Sequence, residues 1–183
     1  NQAVKTMTSA SSRYIAGNAQ GKRFLFAWCD AVVCPSNLTN VFAFDDDYPM
    51  GVLMSSAHIA WAMSEGSTLE DRPRYTPTSC FEPFPWPDPT AKQRDAIGAI
   101  SARLIERRQE ICVDRGIGLT DLYNQVDEGA WADLRGLHRD LDRAVLRAYG
   151  WPAAIADDPL ELKRRLAERH AEIVAGADYS PFG

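Results

Sequence analysis

The first half of the sequence groups residue types that suit DNA binding. Its basic members are Arg13, Lys22, Arg23, Arg72 and Arg74. The last two lie in residues 67–78, STLEDRPRYTPT, beside several hydroxyl groups and Glu70. Arginine can donate two hydrogen bonds to guanine, glutamate can accept one from cytosine, and hydroxyls suit phosphate oxygens. Each residue is also an ordinary loop residue, so the residue types alone leave the two interpretations equally open.

A second basic row lies in the second half, on a predicted helix. It consists of Arg135, Arg139, Arg143 and Arg147. A four-residue spacing keeps the row roughly opposite a stripe of leucines. We favour a solvated helix face, in which nearby aspartates offset the repulsion between arginines. The alternative is a ridge that faces phosphate groups.

Other chemistries find little support. The acidic run of residues 45–47 suits a solvated turn better than a cation site, because consecutive residues of an extended segment point to alternate faces. HRDLD at 138–142 matches a kinase loop but lies in a helical pattern without the other kinase motifs. His58, His138 and His170 lack metal-ligand spacing with the cysteines. With no nucleophile elbow, Walker loop or dinucleotide motif, the sequence predicts no catalytic, cofactor-binding or metal-binding residues.

Composition sets further limits. The 183 residues carry a net charge of −5, which disfavours a uniformly basic nucleic-acid binder but leaves room for one positive face. No apolar run approaches the roughly 20 residues that span a bilayer, and no leader peptide is evident. The four cysteines are expected to be reduced, in a cytoplasmic protein. The start at Asn1 leads us to expect a fragment of a longer protein.

Residues 81–90, FEPFPWPDPT, divide two kinds of pattern. Alternating prolines predict an extended strap, and its aromatic rings require a surface to cover them. Before the strap, residues 22–29, 30–36 and 40–45 predict strands, residues 49–66 one amphipathic helix, and residues 74–81 a further extended segment.

Residues after the strap predict only helices. The expected helical segments are 88–116, 119–129, 132–151 and 158–176. Their short connections favour antiparallel packing in a small bundle. The predicted fold class is therefore α+β, with a strand-rich domain at residues 1–88 around one main helix and an all-α domain at residues 89–183.

Residues 45–87 carry a family resemblance. With SSRYI at 11–15 and GKRFLFAW at 21–28 upstream, and LYNQVDEG at 122–129 downstream, the run resembles the C-terminal half of single-chain class I DNA methyltransferases that use S-adenosylmethionine. Relatives of that family include single-chain type II restriction–modification enzymes and phage-defence methylases. The block from RYTPT to FPWP is specific, and the resemblance spans nearly the whole chain.

The resemblance implies a target-recognition domain followed by a helical tail. It assigns base reading to the segment after the HIAW helix, where the matching residues are Thr68, Glu70, Arg72 and Arg74. Arg13, Lys22 and Arg23 match basic positions that contact phosphates or bases. The catalytic half, with its S-adenosylmethionine site and its motif for a flipped adenine, lies upstream in that family, so no activity is expected from this chain alone. Whether the parent also carries a nuclease stays open.

The resulting hypothesis is a DNA sequence-recognition fragment of an adenine-specific DNA methyltransferase or restriction–modification enzyme. Its expected partners are double-stranded DNA and an upstream methyltransferase domain of the same polypeptide, and no membrane. The alternative is a non-catalytic protein-interaction module that docks a partner subunit through its helical half. One positive surface formed by the basic residues of the first half favours DNA, whereas their dispersal over separate faces favours the alternative.

Overall fold

The structure, a computed structural model, describes residues 11–69 and 72–182, and for Thr68 and Leu69 the backbone alone. Its first element is a three-stranded antiparallel sheet. Strands β1 (Arg13–Asn18), β2 (Phe26–Asp30) and β3 (Thr39–Phe42) lie in the order β2–β1–β3. Two aromatic rings, from Phe26 and Phe42, close over Gly17, where an added Cβ would lie 2.9 Å from the Phe26 ring. The sheet confirms the strands predicted near residues 22–29 and 40–45, with shifted ends.

The predicted strand at residues 30–36 is wrong beyond Asp30, because the chain turns there. The Asp30 carboxylate accepts a hydrogen bond from the Val32 N–H at 3.0 Å, and its carbonyl accepts one from the Val33 N–H at 2.9 Å. Such local bonds compete with strand pairing. Val32 is left 88% exposed, so its β-branched side chain contributes nothing to a strand core.

The predicted single helix at residues 49–66 is also wrong, because two helices occupy that region. They are α1 (Asp47–Met54) and α2 (Ser56–Glu65), separated by Ser55 in an extended conformation. The Ser56 N–H, freed by the break, donates to the Asp142 carboxylate at 2.6 Å. Residues 48–54 of α1 are buried on every side, so α1 is a core helix rather than an amphipathic one.

A short hairpin follows, formed by β4 (Ser67–Leu69) and β5 (Arg72–Arg74). The predicted extended segment at residues 74–81 is wrong after Thr76, because Pro77–Phe81 forms a π-helical turn. In that turn the Thr76 carbonyl accepts from the Cys80 N–H at 2.8 Å. Proline at the first helical position favours such a turn, and the turn buries Cys80.

Residues 81–83 of the strap form a turn rather than the predicted extended segment. Its rings are covered as predicted, with Phe84 only 2% and Trp86 only 4% exposed. The Phe84 ring lies edge-on to His58 at 4.9 Å, measured between centroids. The strap's prolines donate no backbone hydrogen bonds, but their carbonyls still accept them. The Tyr149 hydroxyl donates to the Pro85 carbonyl at 2.8 Å. The strap is thereby attached to residues from both halves of the chain.

The four predicted C-terminal helices are confirmed. They are α3 (Ala91–Arg115), α4 (Leu119–Asp127), α5 (Ala132–Ala148) and α6 (Pro159–Val174), with a 3₁₀ turn at Ala153–Asp157 before the last. Thr90 and Gln93 form a capping box at the start of α3, and Gly116 ends that helix with φ 63°. These signals are local in sequence, which is why the pattern located the helices correctly.

One hydrophobic cluster contains residues from both halves of the chain. Helix α1 lies against α3, and at Gly51 an added Cβ would meet Ile97 at 2.8 Å. Because both halves contribute to this core, the division into domains at residues 1–88 and 89–183 stays a prediction. All four cysteines are free. Within residues 11–69 and 72–182, no helix combines the length and apolarity needed to cross a membrane.

Candidate nucleic-acid interface

The β4–β5 hairpin presents two exposed arginines, Arg72 and Arg74. The strand β5 is held on its other side by the segment that follows β1. The Gly21 N–H donates to the Pro73 carbonyl at 3.2 Å, and the Tyr75 N–H donates to the Ala19 carbonyl at 2.9 Å. These bonds place the hairpin next to the turn that carries Lys22 and Arg23.

Two of the predicted residues have side chains outside the described part of the structure. Thr68 lies on β4, opposite Pro73, and its side chain falls outside the described part of the structure. Glu70 lies outside the described residues altogether. Their assignment to base reading stays a prediction.

Lys22 and Arg23 differ in how far they reach solvent. The Lys22 side chain is 80% exposed and its Nζ lies 3.9 Å from the Asp127 carboxylate. The Arg23 side chain is 20% exposed and forms an ion pair with the same carboxylate. An ion pair at an exposed carboxylate is weak, so Lys22 is available to an incoming anion.

Arg13 lies at the opposite end of β1, roughly 17 Å from Asn18 at the usual rise of ~3.4 Å per residue. Its guanidinium donates to the Asp45 carbonyl at 3.0 and 2.7 Å and to the Asp47 carboxylate at 3.3 Å. The guanidinium carbon also lies 3.7 Å from the centre of the Trp28 ring. The structure therefore groups Lys22, Arg23 and the hairpin arginines but does not bring Arg13 to them.

The acidic run of residues 45–47 caps a helix and pairs with arginines. Asp46 accepts from the Tyr48 N–H at 2.7 Å as the N-cap of α1, and it pairs with Arg94 at 2.9 Å. Among residues 11–69 and 72–182, no cluster of three or more His, Cys, Asp or Glu side chains has the arrangement of a metal site.

The arginine row of α5 lies mostly on the outside of the molecule. Arg139, Arg143 and Arg147 are exposed, and Arg135 is partly buried. Arg143 pairs with Asp140 at 3.4 Å. The arrangement fits the solvated helix face favoured by the sequence, and the phosphate-facing ridge stays an untested alternative.

One buried and one half-buried histidine are held neutral. His58 is completely buried between the Leu53 carbonyl at 2.8 Å and the Tyr75 hydroxyl at 2.9 Å. Burial lowers its pKa to about 4. His138 shares a hydrogen bond of 2.8 Å with the Tyr123 hydroxyl, and burial together with the nearby Arg108 charge lowers its pKa to about 4.

Sequence reasoning missed Arg108, which lines the same cavity as Arg23. The buried face of α3 consists of Ile97, Ser101, Leu104, Arg108 and Ile111. A basic residue at a position of this apolar stripe was the signal available in the sequence. In the structure its Nη2 donates to the Phe26 carbonyl at 2.7 Å, so α3 contacts the sheet through a buried cation.

An apolar groove lies between α2 and α6. Its lining includes Ile59, Met63 and Leu160, and its volume is about 420 Å³. Leu160 is 81% and Met63 is 40% exposed. The residues that line the groove belong to α2, the 3₁₀ turn and α6, and not to the β4–β5 hairpin. The groove is the kind of surface that another protein segment can cover.

This architecture, a small antiparallel sheet with a hairpin and a helical bundle, has a counterpart among enzymes that act on DNA. The structure of this chain is similar to part of the type IIL restriction–modification enzyme MmeI, which was solved in complex with DNA. The TM-score is 0.80 at 24% identity, over 90% of this chain and 22% of that one. Its sequence is similar to DNA methyltransferase A of Bacillus subtilis (strain 168), with 28% identity over 139 residues, which are 73% of this chain and 15% of the relative.

No protein-family model matches the chain. The chain spans less than a quarter of the length of either similar protein. The similarities confirm the expected resemblance to DNA methyltransferases and restriction–modification enzymes in general terms. That the matching part is a target-recognition domain stays a prediction.

Proposed function

We propose that this chain is the DNA sequence-recognition segment of an adenine-specific, S-adenosylmethionine-dependent DNA methyltransferase or restriction–modification enzyme. The observation that carries the proposal is the juxtaposition of the β4–β5 hairpin with the turn at Lys22 and Arg23. It gathers exposed basic side chains on an otherwise acidic protein. The fold shared with part of a restriction–modification enzyme supports the same conclusion.

The hairpin and the turn take different roles in this proposal. Arg72 and Arg74, with Thr68 and Glu70, read base edges, because a hairpin of two strands fits the major groove. Lys22, on its flexible stem, contacts phosphates as a point charge. Recognition then positions the duplex so that a catalytic part elsewhere in the parent can flip an adenine.

The residues described do not fit S-adenosylmethionine. Both sheets are antiparallel, and the strand that leads toward α1 does so without the glycine-rich turn that brings a nucleotide cofactor to a helix N-terminus. We therefore assign the cofactor to another part of the parent protein.

Binding of labelled 30-base-pair duplexes, chosen as about three helical turns, tests the proposal when it is followed by fluorescence anisotropy at several salt concentrations. The 183-residue chain should bind, and its affinity should fall linearly with salt on logarithmic axes. Lys22→Gln should weaken binding and reduce the slope by about 1. Lys92→Gln is the matched control, because Lys92 is exposed at the far end of α3, roughly 24 Å along the helix from Arg108.

Absence of binding to every duplex at low salt would contradict the proposal. That result would favour the alternative, a protein-interaction module. The apolar groove between α2 and α6 is the surface such a module would use.

A further inference from the structure

A cavity of about 160 Å³ lies where the sheet meets α3, α4 and α5. One wall is apolar and includes Phe24, Phe26, Met54 and Ile59. The polar side chains in its lining are Arg23, Arg108, Tyr123 and His138. Base reading by the hairpin gives these side chains no role, so the cavity requires its own explanation.

Arg108 is a buried cation in this cavity without a carboxylate partner among the described residues. The side chain belongs to a residue that is 4% exposed. Two of its nitrogens donate to the Phe26 carbonyl at 2.7 Å and to the Met54 sulfur at 3.0 Å, whereas Nε is buried without a partner. A buried charge with only neutral acceptors is unfavourable, so an anion at this position would stabilise the protein.

Arg23 lines the same cavity and is a second cation with an unpartnered donor. Its Nη2 pairs with Asp127, while its Nη1 is buried without a partner among the described residues. The guanidinium carbons of Arg23 and Arg108 lie 6.0 and 5.7 Å from the centre of the Tyr123 ring. Both cations therefore converge on one aromatic residue of the lining.

The charge balance of the cavity is positive. Among the described residues, the carboxylate that pairs with a side chain of the lining is that of Asp127, which Arg23 and Lys22 share. His138 adds no charge near neutral pH, because burial and the Arg108 charge lower its pKa to about 4. Two guanidinium groups and a lysine thus face one carboxylate.

We infer that this cavity binds a single phosphate group, held by the guanidinium groups of Arg108 and Arg23, which both line it. Guanidinium donors match the oxygens of phosphate better than they match a spherical ion. The volume is about that of an apolar cavity of ~150 Å³ that accepts benzene, so a tetrahedral oxyanion fits. It is well below the ~300 Å³ at which pockets for larger ligands begin. The phosphate can come from a DNA backbone that crosses Lys22 and Arg23 or from free phosphate.

Melting of the 183-residue chain in phosphate, against chloride at equal ionic strength, tests the inference without any DNA. At ~10 mM phosphate the melting temperature should rise by several degrees, since a ligand of the folded state stabilises it by mass action. Arg108→Gln should abolish the rise and weaken phosphate binding, measured by calorimetry, at least tenfold. Arg103→Gln, which removes an exposed arginine from the same helix, should retain both effects.

If Arg108→Gln fails to fold, Arg23→Gln removes the second donor and is expected to weaken phosphate binding in the same assay. Equal melting of the wild-type chain in phosphate and chloride, together with unchanged duplex binding by the Arg23 and Arg108 variants, would overturn the inference. Water alone would then fill the cavity.

A duplex titration separates the two sources of phosphate. If the site takes a backbone phosphate, free phosphate competes with duplex, and Arg108→Gln weakens binding to all sequences by the same factor. If it takes free phosphate, the heat of phosphate binding is unchanged when duplex is saturating. Either outcome supports the site. Because the phosphate measurement needs no DNA, it can succeed even if the proposed DNA-binding function fails.

Discussion

Three environments distinguish four of the arginines at the scale of single residues. Arg72 and Arg74 are exposed, and Arg13 contacts the Asp45 carbonyl, the Asp47 carboxylate and the Trp28 ring. Arg108 is buried and has no counter-ion among the described residues. Exposed arginines can reach DNA, whereas two of the three guanidinium nitrogens of Arg13 already donate within the protein. Residue type could not separate these cases, because each environment is created by partners that are distant in sequence.

Asp142 gives a pH-dependent prediction. Burial raises the pKa of its carboxyl group to about 6, against an ordinary value of 3.8, although its bond to the Ser56 N–H opposes the rise. The folded state therefore binds the proton more tightly than the unfolded state. The resulting stabilisation is complete below pH ~4 and is lost as the pH rises through about 6.

Asp142→Asn keeps an oxygen that can accept from the Ser56 N–H but has no charge to bury. We expect the difference in unfolding free energy between variant and wild type to shift in favour of the variant by about 1–3 kcal/mol from pH 4 to pH 8. Urea denaturation at pH 4, 6 and 8 measures this difference. The buried histidines weaken both proteins equally in acid, so they cancel in the comparison.

Asp140→Asn is the matched control, because Asp140 has an exposed side chain two residues earlier on the same helix. Its stability difference from the wild type should vary little with pH. An Asp142→Asn difference that is equally flat from pH 4 to pH 8 would show that the carboxylate is not destabilised by burial.

At the scale of elements, local signals were predictable and distant ones were not. The helices after residue 90 were recognisable because their apolar stripes and caps lie within each segment. The break at Ser55 was hidden, since the Ser56 N–H finds its partner 86 residues later at Asp142. The turn at Asp30 was misjudged because β-branched residues outweighed a side-chain acceptor in the pattern.

The candidate site followed the same rule. The hairpin and the turn at Lys22 were located from the sequence through residue types and resemblance. Their juxtaposition depends on bonds between residues 19–21 and 73–75, which no periodicity shows. Arg108 was visible only as a charge on an apolar stripe, and its proximity to Arg23 requires the packing of α3 on the sheet.

Close packing of α1 on α3 can be tested at Gly51. An added Cβ would meet Ile97 at 2.8 Å and Ser101 at 3.1 Å. Gly51→Ala should therefore destabilise the protein, because overpacking of about 1–3 kcal/mol exceeds or offsets a helix-propensity gain of up to ~1 kcal/mol. Thermal or chemical denaturation measures the loss.

Gly98→Ala provides the opposite case on α3. The nearest atom to an added Cβ there is the Tyr48 nitrogen at 3.6 Å, which is ordinary contact. This substitution should stabilise the protein by about 0.5–1 kcal/mol through helix propensity. If both glycine variants gained stability, the tight approach of α1 to α3 would be refuted.

At the scale of the whole molecule, a shared core unites two parts of different architecture. The cluster extends from Phe26 in the sheet to Leu141 in α5, and Arg94 and Arg108 of α3 contact residues from before the strap. We propose that residues 1–88 and 89–183 are subdomains of one cooperative unit. Such a unit can hold the hairpin rigidly relative to the helices.

We propose that this chain recognises DNA and that another part of the parent binds the cofactor, so we predict that this chain does not bind S-adenosylmethionine. The reason is the misfit between its antiparallel sheets and a nucleotide-cofactor site. Isothermal titration calorimetry with the cofactor should show no heat, and a methyl-transfer assay on duplex DNA should show no product, while the same preparation binds duplex. Cofactor binding at micromolar affinity would contradict this assignment.

Selection from a random duplex library, followed by sequencing, tests whether the hairpin recognises DNA sequence. The wild-type chain should enrich one motif. Arg72→Gln and Arg74→Gln should each change the preferred base at one position, because loss of a bidentate guanine contact removes about 1–3 kcal/mol, or roughly one to two decades of preference. Lys22→Gln should lower the yield and leave the motif unchanged. Enrichment of no motif, or of the same motif by the wild type and both hairpin variants, would show that Arg72 and Arg74 do not read bases.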